Sequence, residues 1–285
     1  MTTVIVNGFF VGLVYGLLAV GLVVVYRGSR IINFAYGETG MLGAFVFSEL
    51  WVSAHIGLFP ALVLGVAVSA ALGAATEVVL VRPLRGQPPL AAMVGTLAVA
   101  ALLLTYASRR YGLYPRFLPP LVEGGGIDVA GLRVQPTQLV ILAVATAVLI
   151  GLTALYRYTS FGLRLRATAL DPMAAGLVGV DTNRTSVATW ALAGGLAGLS
   201  GILIAPSVAF SVFFMTSLLL RSVAAALVGG LTSIGGAVVA GITLGVAEGV
   251  IGYTVPVNGI VEVALAAFVI ALLLVRPSGL VRSAY

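Results

Sequence analysis

Long apolar runs separated by short polar punctuation set the pattern of this chain. Residues 4–26 pass without a charge for 23 positions, 137–156 for 20 and 185–220 for 36. A helix needs only about 20 apolar residues to cross the hydrocarbon core of a bilayer. Charge-poor runs predict spans near 4–26, 33–54, 58–81, 90–109, 137–156, 186–206, 217–234, 236–252 and 259–275. The second and seventh are broken by glycine. The pattern therefore predicts an all-α, polytopic transmembrane helical bundle of about eight or nine spans, forming a single domain over 1–285.

Composition sharpens this and removes much chemistry. The chain is 60% hydrophobic and 8% charged, against about 25% charged in soluble domains, so too little polar surface exists to coat a soluble fold. With no Cys, disulfides, thiolate metal sites and cysteine nucleophiles are excluded. A single His, His55, leaves no multi-histidine metal cluster. All 15 basic residues are Arg, which excludes a Schiff-base lysine and a phosphate loop ending in Gly-Lys-Ser/Thr. No catalytic residue, metal site or cofactor is expected, and any ATP must be hydrolysed by another subunit. The pI near 10.0 does not indicate nucleic acid, because the arginines are spread over loops.

Met1-Thr2-Thr3 lacks the positive start of a cleaved signal, and the first apolar run is too long for one. Arg27 and Arg30 follow that run, which predicts a permanent first span with its N-terminus outside. Alternating the spans from there puts ten of the 15 arginines in the cytoplasm: Arg27, Arg30, Arg82, Arg85, Arg157, Arg164, Arg166, Arg184, Arg276 and Arg282. Arg109, Arg110, Arg116 and Arg133 fall at or in an outer loop, 112–136, which reads as a small external cap. Arg221 lies inside the seventh run.

Gly8, Gly12 and Gly16 recur four apart, as do Gly241, Gly245 and Gly249. Such rows let helix backbones approach closely where lipid offers no hydrophobic drive, so the first and eighth spans face protein. Glu248 shares the second glycine face. An ionisable group there is a functional candidate by default, and the structural alternative is a Glu paired with backbone or a basic residue.

Two runs carry polar interruptions, Asn33-Phe34-Ala35-Tyr36-Gly37-Glu38-Thr39-Gly40 and Gly229-Gly230-Leu231-Thr232-Ser233-Ile234-Gly235-Gly236. Paired broken segments, one in each half, point to a substrate pathway in transporters; the alternative is two tight turns at the membrane surface. Asn33, Tyr36, Gly37, Glu38 and Thr39 are pathway candidates in the first, and Thr232 and Ser233 in the second; Glu248 is a further pathway candidate, as a gate or packing residue.

The 157–184 segment is predicted to be the longest cytoplasmic loop. Within it Asp171-Pro172 is a strong helix start, since Asp caps free amides and Pro suits the first helical position. Gly179 then ends a helix of barely two turns, and Asp181 offers a second cap. Met173, Leu177 and Val178 suit a partner with a hydrophobic groove, or else a helix resting on the membrane surface.

These residues together resemble the branched-chain amino acid permeases of ATP-binding-cassette importers, and within them the H-type subunit of the Liv (leucine–isoleucine–valine) systems. The resemblance rests on Gly12-Leu13-Val14-Tyr15-Gly16-Leu17-Leu18-Ala19-Val20-Gly21-Leu22, on Ile32 through Glu38, and on Arg82-Pro83-Leu84-Arg85-Gly86. It continues through Gly162-Leu163-Arg164, Ala169-Leu170-Asp171-Pro172-Met173-Ala174-Ala175 and Gly179-Val180-Asp181, then Ala225 through Ala237, and the ending Val275-Arg276-Pro277-Ser278-Gly279-Leu280. Tyr36 stands where the family often has His, and Arg221 where it often has Lys. The resemblance implies ATPase coupling through Arg164, Arg166, Asp171, Pro172, Met173, Ala174 and Leu177. It also implies an M-type second permease subunit, two ATP-binding subunits, an extracytoplasmic solute-binding protein and a bacterial inner-membrane location.

Other functions compete. Relatives in this family carry urea and short amides as well as amino acids. An ion-coupled carrier using Glu38 and Glu248 lacks a reason for the coupling-type loop. Gly198-Leu199-Ser200-Gly201 has the form of an intramembrane serine protease motif, yet no His follows Ser200.

Overall fold

The computed structural model describes residues 1–275 apart from 130, 131, 256 and 258, and these form eleven α-helices and one small hairpin. In chain order the elements are α1 (Thr2–Ser29), α2 (Tyr36–Ser48), α3 (Leu58–Thr76), α4 (Pro89–Tyr111), β1 (Ile127–Val129), β2 (Leu132–Val134) and α5 (Pro136–Tyr158). They continue with α6 (Ser160–Leu170), α7 (Pro172–Leu177), α8 (Thr182–Ile204), α9 (Phe214–Gly229), α10 (Ile234–Thr254) and α11 (Ile260–Val275). Each of the nine predicted apolar runs holds a helix. Six described helices are long and apolar enough to cross a membrane, and two shorter apolar helices lie at Phe214–Gly229 and Ile260–Ala271. The fold is a helical, polytopic membrane bundle. The Arg276-to-Leu280 ending lies outside the described residues.

The chain divides into two compact units. One comprises 24–118 and 146–216, and its centre is α2, α3 and α8. Small residues bring these helices into backbone contact. A Cβ on Gly43 would lie 2.6 Å from the Gly65 carbonyl oxygen, one on Gly198 2.6 Å from Ser69 Cβ, and one on Gly40 2.6 Å from the Ala197 carbonyl oxygen. Ser69, fully buried, donates its hydroxyl to the Thr39 carbonyl at 2.9 Å. In a membrane, close packing and buried hydrogen bonds replace the hydrophobic drive. The irregular stretch of the second run falls at 30–35. There Asn33 Oδ1 accepts from the Ala35 amide at 2.9 Å, a local turn just ahead of α2, while Gly37 and Gly40 lie inside the helix.

The other unit comprises 1–23, 119–145 and 217–285. Here the two glycine rows meet each other. A Cβ on Gly8 would sit 2.6 Å from the Gly245 carbonyl oxygen, and one on Gly245 would sit 2.5 Å from Gly12 Cα. The matched order, 8 with 245 and 16 with 238, makes α1 and α10 antiparallel. The β1–β2 hairpin pairs Ile127 with Val134 and Asp128 with Arg133.

Candidate functional site

Arg221 organises a polar cluster in the unit that holds the first and last helices. It stands midway along α9, roughly 11 Å from either end at 1.5 Å per residue. Its Nε donates to Glu248 Oε1 at 2.7 Å and its Nη2 to Glu262 Oε1 at 3.1 Å, while Nη1 reaches the Ser217 carbonyl at 3.2 Å. The second Glu248 oxygen accepts from the Tyr15 hydroxyl at 2.9 Å. Four helices thus converge on one guanidinium. The Arg221 and Glu248 side chains are 16% and 15% exposed and that of Glu262 is 64% exposed. All three line a cavity of about 690 Å³ whose wall is otherwise mostly small or apolar, including Val4, Gly8, Gly249 and Ile260.

This arrangement gives Glu248 a basic partner. It also brings in Tyr15 and Glu262, which the hydropathy pattern conceals because each is one polar atom group in an apolar run. The one available signal was spacing: Glu262 follows the Gly259 turn closely enough to return toward α10, and Gly259 has a positive φ of 83°.

The polar residues of the first broken segment are distributed between local duties and unmet ones. Asn33 holds the turn ahead of α2 through the Ala35 amide, and Thr39 Oγ1 donates to the Tyr36 carbonyl at 2.8 Å. Glu38 is buried; Oε1 accepts from Thr216 at 3.1 Å, and Oε2 has no hydrogen-bond partner among the described residues. The Tyr36 hydroxyl is likewise buried without a partner there. Gly37 is helical beside them. Glu38 and Tyr36 are therefore the two members of this segment with hydrogen-bonding capacity left over.

The second broken segment forms a turn between α9 and α10. Gly230 takes φ of 86°, and Ser233 caps α10 by accepting from the Gly236 amide at 3.0 Å. Thr232 precedes that cap. Ser233 and Glu248 share α10 but are separated by about 22 Å along it, so the structure does not gather Thr232, Ser233 and Glu248 into one cluster. The residues 33–39 belong to the other unit.

In the 157–184 loop, α7 has the boundaries that its punctuation indicates. Asp171 Oδ1 accepts from the Met173 and Ala174 amides at 2.8 and 3.0 Å, Pro172 opens the helix, and Gly179 has φ of 84°. Asp181 caps α8 through the Arg184 amide at 3.0 Å. Met173, Leu177 and Val178 are 79%, 86% and 79% exposed, and only Ala175 of α7 is buried. A further helix, α6, precedes it and carries Arg164 and Arg166 on its exposed side. Its N-cap is Thr159, whose hydroxyl accepts from the Gly162 amide at 3.1 Å.

A buried carboxylate braces the base of this loop. Glu77 is fully buried and accepts from Arg82 Nη2 at 3.4 Å and from Arg85 Nη2. Arg85 also donates to Asn183 in the first turn of α8. A π-helical widening over Glu77–Val81, closed by Arg82 N to Glu77 O at 2.8 Å, turns the chain toward α8. Such widenings often occur at functional sites. The sequence signal is a Glu inside an apolar run followed by Arg five and eight residues later.

No group of three or more His, Asp or Glu is placed to hold a metal among the described residues. Ser200 is fully buried, and its hydroxyl has no hydrogen-bond partner among the described residues.

The model of the branched-chain amino acid transport system / permease component family matches residues 4–276. LivH of Salmonella typhimurium, a high-affinity branched-chain amino acid transport system permease protein, is 29% identical over 96% of this chain and 93% of its own. BraD of Pseudomonas aeruginosa is 30% identical over 97% and 94%. A probable LivH of Methanocaldococcus jannaschii is 32% identical over 83% and 76%. Among solved structures, the PsaBC–Fab complex from Streptococcus pneumoniae has a chain with a TM-score of 0.52 at 18% identity, covering 97% of this chain and 92% of that one, a likeness of fold. A multi-pass helical bundle matched along nearly its whole length in this way belongs to the branched-chain amino acid transport permease family, in its LivH type.

Proposed function

We propose that this chain is the membrane-spanning subunit of an ATP-binding-cassette importer that moves branched-chain amino acids inward across a bacterial inner membrane by alternating access. The observation that carries the reading is α7, a capped two-turn helix whose apolar side chains Met173 and Leu177 are exposed among the described residues. Family membership supports a partner of ATPase type for that surface. In this account Met173, Ala174 and Leu177 seat in a groove on an ATP-binding subunit, Asp171 and Pro172 fix the helix, and Arg164 and Arg166 add positive charge beside it. The Glu77–Arg85–Asn183 brace carries movement of the loop into α3 and α8.

The arginine bias supports an outside N-terminus with 157–184 in the cytoplasm and 112–136 outside. Two ATP-binding subunits, an M-type permease and an external binding protein complete the assembly. In this reading Asn33, Tyr36, Gly37, Glu38 and Thr39, and in the other unit Thr232, Ser233 and Glu248, are substrate-pathway residues, and ATP binding shifts the population between two conformations. Tyr36, in place of the frequent His, favours a second substrate reading of urea or short amides. Reconstitution of the full system in proteoliposomes tests both: ATP-dependent leucine uptake is expected, and uptake driven by a proton gradient without ATP contradicts the importer.

A further inference from the structure

We propose that Arg221 and Glu262 form a binding site for the zwitterionic head group of an amino acid inside the permease itself. The inference rests on the reading of the chain as an amino acid permease. A guanidinium carries several planar donors, so one can keep Glu248 while another takes an incoming carboxylate. Arg221 has three directions of hydrogen bonding, and they are unequally held. The Nε bond to Glu248 is short at 2.7 Å, between two largely buried groups. Glu248 is held in turn by Tyr15. The Nη2 bond to Glu262 is longer, at 3.1 Å, and its acceptor is 64% exposed. An exposed ion pair is weakly held.

Glu262 therefore occupies the place that an incoming carboxylate takes. When the substrate carboxylate bonds Nη2, Glu262 is released and accepts the substrate ammonium a few ångströms away. The exchange leaves each charge paired, so it needs no proton and no counterion. Glu248 stays on Nε throughout and keeps the guanidinium aimed. The cavity holds about 690 Å³, ample for one amino acid with water. Gly8, Gly245 and Gly249 lie in its wall where α1 packs on α10, and Val4 and Val11 offer an apolar surface to a branched side chain. Arg221 is the binding group, and Lys, a point charge, lacks separate planar donors with which to hold Glu248 and the incoming carboxylate in fixed geometry.

The test uses the assembled complex in nanodiscs without its binding protein, so that recognition by the permease is read alone. Radiolabelled leucine is titrated and competed with 4-methylpentanoate, which lacks the ammonium, and 3-methylbutylamine, which lacks the carboxylate. Wild type is expected to bind leucine saturably and at least about tenfold better than either analogue. Glu262→Gln should weaken leucine about tenfold and erase its advantage over 4-methylpentanoate. Arg221→Lys should weaken leucine and narrow its advantage over the amine. A purely structural role for the cluster would leave these preferences unmoved. Absence of saturable binding, or unchanged affinity and preference in Glu262→Gln, overturns the site. If Arg221→Lys does not assemble, Glu262→Gln decides alone. Leucine uptake by the complete wild-type system separates the two levels: normal uptake with unaltered binding in the variant removes only the site, whereas no uptake of leucine removes the substrate reading beneath it.

Discussion

Tyr15 donates its hydroxyl to Glu248 across 2.9 Å, although 233 positions separate them in the chain. With Arg221 on the other carboxylate oxygen, Glu248 has both oxygens occupied. Removing one member of a largely shielded ion pair strands the other, at a cost of up to about 3–5 kcal/mol, whereas removing both together is far milder. Thermal unfolding of the purified complex should therefore show Arg221→Gln well below wild type and the Arg221→Gln/Glu248→Gln double variant above that single variant. Additive losses would contradict the pairing. Tyr15→Phe should cost about 1.5–3 kcal/mol, as for a hydrogen bond to a charged acceptor.

The two halves of the Glu77 brace should respond unequally. Glu77 is fully buried, while the Arg82 and Arg85 side chains are 37% and 38% exposed. Glu77→Gln leaves arginines that water can still reach, so the loss of stability should be modest, about 1–3 kcal/mol. Arg82→Ala/Arg85→Ala leaves a carboxylate with no cation inside the protein and should fall by about 3–5 kcal/mol. Melting temperatures of the three proteins check the order. Under the proposed function both changes also lower the amount of substrate moved per ATP hydrolysed.

Asp171 tests the coupling surface. Asp171→Asn keeps a capping oxygen and should retain transport, and Asp171→Ala should weaken α7 by about 1 kcal/mol. Asp171→Arg removes the cap and places a cation at the positive end of the helix. It should abolish both transport and substrate-stimulated ATPase while the protein still inserts at normal levels. Intact stimulation in that variant would remove 157–184 as the ATPase contact.

Glycines of the same composition class should divide by position. Gly12→Ala forces a methyl to within 2.7 Å of Ile242 Cα, and Gly245→Ala to within 2.5 Å of Gly12 Cα, so both should lose assembly and stability. A Cβ at Gly151, within α5, meets nothing within 4 Å. Gly151→Ala should be neutral or gain about 0.4–1 kcal/mol from reduced freedom of the unfolded chain. Expression and melting of the three variants separate packing glycines from free ones.

What the sequence made legible follows from how local each signal is. The nine apolar runs each hold a helix because hydropathy acts along contiguous residues. α7 was readable down to its cap, since Asp171, Pro172 and Gly179 act within a single turn. The glycine rows announced a close contact, though only the structure pairs Gly8 with Gly245. Helix α6 escaped because its three arginine-flanked turns carry no long apolar run. Tyr15 and Glu262 escaped for a different reason: their roles depend on which helices meet, and beyond the Gly259 turn ahead of Glu262 the sequence carries little sign of that choice. In the first broken segment the opposite occurred, for Asn33 and Thr39 are polar chiefly to satisfy nearby backbone. Glu38 and Tyr36 keep the free hydrogen-bonding atoms.

The most direct measurement is to tag the chain in its native membrane, solubilise it gently and identify what copurifies by mass spectrometry. An importer permease should bring with it an ATP-binding subunit and a second, non-identical permease, in a complex that Leu177→Asp on the exposed face of α7 strips of the ATPase alone. Recovery of the chain by itself or as a homo-oligomer, under conditions that keep other ATP-binding-cassette complexes whole, would contradict the account.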